Sequence, residues 1–136
     1  DYINIESEGV AVHFGNLTEI KNQMACMSSQ TRSVFAGGSG TPTTVNTIEY
    51  VNIASTGNGQ DFGDLTEAKL FLSSTSNSVR GLTCGGFGDS PLNNATTRIE
   101  FITISSTGDG TDFGDLNTAS YSGGSFVSDA HGGLAQ

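Results

Sequence analysis

Tryptophan is absent from this chain of 136 residues, and proline and cysteine occur twice each. Lysine and arginine number only 5 against 14 acidic residues, a formal net charge of -9. Each shortage narrows the reading. An acidic surface repels phosphate backbones and anionic headgroups, which argues against nucleic-acid partners. No apolar run approaches the length of a membrane span, so no membrane insertion is expected. The two cysteines, Cys26 and Cys84, have neither metal nor redox spacing. They are expected to be buried free thiols on different strands, which suits a reducing compartment. What the chain does have is 19 glycines, with abundant serine, threonine and asparagine. That composition favours short strands joined by tight turns over long helices.

The chain also repeats itself. "TGNGQDFGDL" begins at Thr56 and "TGDGTDFGDL" at Thr107; "IEYVNIASTG" begins at Ile48 and "IEFITISSTG" at Ile99. An earlier copy supplies "DYINI" from Asp1 and "FGNLTE" from Phe14, and "RSVFAGG" from Arg32 matches "RGLTCGG" from Arg80. The units run approximately over residues 1–47, 48–98 and 99–136 of a single repeat domain. Four short strands are expected per unit. The middle copy places them near residues 70–74, 80–84 and 97–105, with residues 48–54 and 61–65 as the preceding third and fourth strands. The Asn-Gly and Asp-Gly dipeptides are expected to form the hairpin turn between the third and fourth strands.

The pattern is similar to the kelch repeat. A double glycine closes the second strand (Gly37 and Gly38; Gly85 and Gly86). An acidic-aromatic pair follows (Glu49 and Tyr50; Glu100 and Phe101). An aromatic, a leucine and a basic residue complete it: Phe62, Leu65 and Lys69 in one copy, Phe113 and Leu116 in the next, with Ser120 where Lys69 would recur. The expected fold class is therefore all-β, a kelch-like β-propeller of about three four-stranded blades. The wording of the repeats further resembles long structural proteins of marine tailed phages, especially those infecting cyanobacteria. That resemblance implies a non-enzymatic virion protein, a fibre or appendage assembled in host cytoplasm. Its partners would be other virion proteins, further copies or blades of the same protein, or a host-surface receptor or glycan. A soluble or cell-surface glycan- or protein-binding kelch module, extracellular in location, is the alternative. A segment of a propeller enzyme is the second.

By strand, the chain reads c-d, a-b-c-d, a-b-c-d, a-b. Three blades are too few for a closed ring, which typically takes four to eight. Either more blades belong to a longer polypeptide, or two copies share blades to close a six-bladed ring. The first residue, Asp1 rather than Met, favours the longer polypeptide.

No residue set points to catalysis, a cofactor or a metal. Asp109, Asp112 and Asp115 do not follow an EF-hand spacing and are expected to hydrogen-bond in turns. The sequons at Asn16 and Asn94 fall in turn-rich stretches, and His13 and His131 occupy positions held by other residues in other units. Arg32 and Arg80 share one phase and are expected to pair with a repeated acid such as Glu49 or Glu100, with a ligand contact at the central axis as the alternative. The segments between the double glycine and the next third strand differ in length between copies. They make candidate binding loops, containing Ser39, Thr41, Thr43 and Asn46 in one unit and Phe87, Asp89, Asn93 and Asn94 in the next.

Overall fold

A computed structural model describes residues 1–88, 95–121 and 126–128. The described chain is all-β. No helix among the described residues is long and apolar enough to cross a membrane. Ten strands form: β1 (Ala25–Ser28), β2 (Arg32–Ala36), β3 (Thr47–Asn52), β4 (Gln60–Asp64), β5 (Lys69–Leu70), β6 (Ser73–Ser76), β7 (Arg80–Cys84), β8 (Phe87–Gly88), β9 (Thr96–Thr103) and β10 (Thr111–Ser120). They make two four-stranded antiparallel sheets, β1-β2-β3-β4 and β6-β7-β9-β10, and a two-stranded pair, β5 with β8. Each large sheet is an up-and-down meander in chain order once β8 is set aside. The a-b-c-d reading of the repeat is therefore present twice. The first strand of the second sheet begins at Ser73, later than the sequence suggested, because Lys69 and Leu70 pair with β8 instead.

Strand alternation explains the two faces. Pairing sets Met27 beside Val34 and Val34 beside Tyr50, with Ala25, Ala36 and Ile48 on the same face. In the second sheet Leu82 pairs with Phe101 and Cys84 with Ile99. Glu100, Ile102 and Thr83 fall on the opposite face. The first face of one sheet packs against the opposite face of the next. A Cβ added at Gly81 would lie 2.5 Å from Met27 Sδ, and Met27, Val34, Tyr50, Phe62, Leu65, Ile102 and Ile104 belong to one buried cluster.

The "DFG" of the repeated phrase is a β-bulge. Register shifts between Ile48 and Glu49 opposite β4, leaving Phe62 as the extra residue, and again between Asp112 and Gly114 around Phe113. The glycine that follows takes a positive φ in both copies, 146° at Gly63 and 142° at Gly114. The bulge turns the phenylalanine against the aromatic of the third strand. Tyr50 meets Phe62 edge-on at 5.9 Å, and Phe101 meets Phe113 at 6.2 Å. Residues 1–14 carry the same arrangement without a full strand. Tyr2 bridges Val12 in the register of Tyr50 with Gln60, and Tyr2 meets Phe14 at 5.9 Å.

Candidate functional site

The most elaborate chemistry in the molecule lies where one unit meets the next. It has three parts, each built twice. The first is a buried ion pair. Lys21 Nζ lies 2.7 Å from Glu49 Oε1, and Lys69 Nζ pairs with Glu100 Oε2. All four side chains are buried. The other oxygen of each glutamate accepts a backbone N–H of the preceding unit, Thr18 N at 2.6 Å and Thr66 N at 2.7 Å. Burial alone would raise the two carboxyls. The hydrogen bonds from lysine and threonine outweigh it and hold both below the ordinary value of 4.5.

The double glycine aims the lysine. Gly37 and Gly38 have φ of 63° and 114°, and Gly85 and Gly86 have 61° and 101°, conformations that exact little cost only from glycine. Gly38 N donates to Lys69 O at 2.9 Å, and Gly86 N donates to Ser120 O at 3.1 Å. A Cβ at Gly37 would sit 2.6 Å from Lys69 O. The chain leaving the fourth strand thus passes tightly over the double glycine, and Lys69 projects from it toward Glu100 of the next unit.

The third part is the "TGNG" loop. It does not make a two-residue hairpin, and neither Asn58 nor Asp109 has a positive φ. The loop spans seven residues and reaches the preceding unit. Gly57 N and Gly59 N donate to Phe14 O and Asn16 O at 2.8 and 2.7 Å; Gly108 N and Gly110 N donate to Phe62 O and Asp64 O, both at 2.7 Å. Asn58 Oδ1 accepts Asn16 N, and Asp109 Oδ1 accepts Asp64 N, each at 3.0 Å. The approach is so close that a Cβ at Gly63 would meet Gly108 O at 2.5 Å.

Arg32 and Arg80 do not pair with the glutamates. Their guanidinium carbons lie 4.3 Å over the Tyr50 ring and 4.7 Å over the Phe101 ring, and Arg32 Nη1 donates to Ile104 O at 2.9 Å. The rings lie on the sheet face opposite Glu49 and Glu100, so the arginine cannot serve both. The other predicted positions scatter. Asp115 Oδ1 accepts Thr97 Oγ1 at 2.7 Å. His13 Nδ1 lies 3.4 Å from Asp1, both exposed. Among the described residues no group of three His, Cys, Asp or Glu could hold a metal ion. Cys84 is buried, but Cys26 is exposed, contrary to the buried thiol expected of it, because it lies opposite Met27 in the alternation.

Of the candidate binding loops, Ser39 bridges both Asn22 and Thr44, Thr41 and Thr43 are exposed, and Asn46 Nδ2 donates to Leu65 O at 3.4 Å. Phe87 packs on Tyr121 at 5.6 Å. Asp89, Asn93, Asn94 and His131 lie outside the described residues. An open, largely apolar groove of about 420 Å³ lies at the first joint, lined by Tyr2, Phe14, Leu17, Phe35, Val51 and Ile53. At the second joint the corresponding Tyr50, Phe62, Leu65, Ile102 and Ile104 are buried, since β1 and β2 cover them. In comparisons with known proteins, no family model matches the chain and no curated protein matches it.

Proposed function

We propose that the chain is a non-enzymatic structural or adhesive module, a kelch-like propeller scaffold of the kind found in tailed-phage virions, serving particle assembly or host-surface attachment. One observation carries the reading: the buried charge and the shared aromatic and glycine positions recur unit by unit and are spent on joining units. A scaffold needs identical joints, whereas a catalytic centre needs one unit to differ from the rest. Ser39 and Asn46 anchor their loop to the joint through Asn22 and Leu65, and the exposed Thr41 and Thr43 between them are the surface left for a receptor or a neighbouring virion protein. Quantitative protein composition of purified particles tests this. A fixed ratio to the major capsid protein, retained after salt washing, is expected. Absence from washed particles would overturn the virion role.

A further inference from the structure

The joint has a third, half-built copy. The second sheet presents Leu82, Ile99, Phe101, Phe113 and Leu116 on the face that in the first sheet is packed, and Phe113 is 55 % exposed where Phe62 is 2 % exposed. Among the described residues no atom lies within 4 Å of a Cβ placed at Gly114, the counterpart of Gly63. The matching half is at the other end of the sequence. Ile3 and Ile5 hold the positions of Ile102 and Ile104, yet they are 63 % and 94 % exposed against 4 % and 0 %.

We propose that residues 1–12 of a second copy of this chain dock on the open face of the second sheet and complete the joint there. The proposal deepens the scaffold reading by naming the partner; it depends on the joint and not on the virion.

The substitutions at this third joint fit one another. In the two built joints a glutamate faces a lysine, and a glycine lies against the carboxylate: a Cβ would be 3.0 Å from Glu49 Oε2 at Gly59 and 3.2 Å from Glu100 Oε1 at Gly110. At the third, the acid is Asp1, the glycine is Ala11 and the lysine is Ser120. The shorter acid leaves room for the alanine methyl, and the joint loses its buried cation together with the long carboxylate that needed it. Asp1 and Ala11 belong to one side of the joint and Ser120 to the other, and the three have changed in a compatible sense. Val10 replaces Asn58 and Asp109, so this joint gives up one side-chain hydrogen bond and relies more on the apolar contact of Ile3 and Ile5. Two copies would form the contact reciprocally, which gives the closed two-fold assembly most common among homo-oligomers.

The test uses single cysteines at two exposed positions in a Cys26→Ser background. Val10→Cys and Asp115→Cys sit at the positions of Asp109 and Asp64, which touch in the built joint where Asp64 N donates to Asp109 Oδ1 at 3.0 Å. Mixing the two single variants under mild oxidation is expected to give a 10–115 linked dimer, and neither variant alone is expected to do so. The unmodified chain is expected to show a native mass of twice 14.0 kDa. A mixture that stays unlinked, a 10–10 or 115–115 dimer at equal yield, a 10–115 link formed only within one chain of the double variant, or a native mass that stays at one chain would each overturn the proposal. Particle composition can fail while this linkage succeeds, so the two readings are separable.

Discussion

Phe62 and Phe113 stand in the same phrase, on the same bulge, against the same kind of aromatic partner. Phe62 is buried and Phe113 is more than half exposed. Their own strands do not explain the difference. Phe62 is covered by the Gly108–Gly110 loop and the second sheet, and no described residue does this for Phe113. Burial in this molecule is therefore a property of the joint between units, and a unit is only half finished by itself. Repeat architectures behave this way because each unit has a hydrophobic face that only a neighbour can cover.

The comparison breaks most sharply at the phenylalanines. Phe62→Ala should destabilise the chain by about 3–5 kcal/mol, as for a large aromatic removed from a packed core. Phe113→Ala, measured at dilutions where the chain is a single copy, should cost under about 1 kcal/mol, since it then loses only a surface aromatic contact. Urea denaturation of both variants checks this, and equal losses would place the two residues in equivalent environments.

The buried pair comes next. Lys69→Met leaves Glu100 without its cation and should cost about 3–5 kcal/mol, while Lys69→Met with Glu100→Leu should recover much of that loss. The pH dependence follows from the depressed glutamates. Their stabilisation is complete above the ordinary value of 4.5, and it is lost as pH falls through the lower folded values, because the unfolded chain then binds more protons. Stability measured from neutral pH downward should drop in that acid range. The drop should be smaller in the Lys69→Met, Glu100→Leu double variant.

Gly63 and Gly114 give a finer comparison. Both carry the strain of a positive φ, about 1 kcal/mol or more for alanine. Only Gly63 also has the Gly108 carbonyl 2.5 Å from the new Cβ. Gly63→Ala should therefore cost at least about 1 kcal/mol more than Gly114→Ala in thermal unfolding. The smallest effect belongs to Arg32→Gln, which removes a partly exposed cation over Tyr50 and should cost about 0.5–1 kcal/mol. A loss like that of Lys69→Met would mean Arg32 is an ion-pair residue after all.

Much of the strand order was legible in the sequence, because the double glycines and the acidic-aromatic pairs mark strand ends and strand faces. Which repeated positions meet was not legible. Glu100 takes its lysine from 31 residues upstream, across a unit boundary, and a repeat shows that Lys21, Lys69, Glu49 and Glu100 recur without showing that they touch. The arginines were the more obvious cations, but strand alternation puts them on the other face. One signal was present: Lys21 and Lys69 share a phase, as Glu49 and Glu100 do. The Asn-Gly and Asp-Gly dipeptides misled for a different reason. Their glycines are required by close approach to the neighbouring unit, and a tight turn would have left the same letters.

The most direct measurement is amide hydrogen exchange at Gly57, Gly59, Gly108 and Gly110. If the repeated phrase is a joint, all four amides donate to the preceding unit and should be protected far above loop rates, approaching those of the strands. Exchange at the rate of free loop amides would contradict the joint and return the phrase to a simple surface turn.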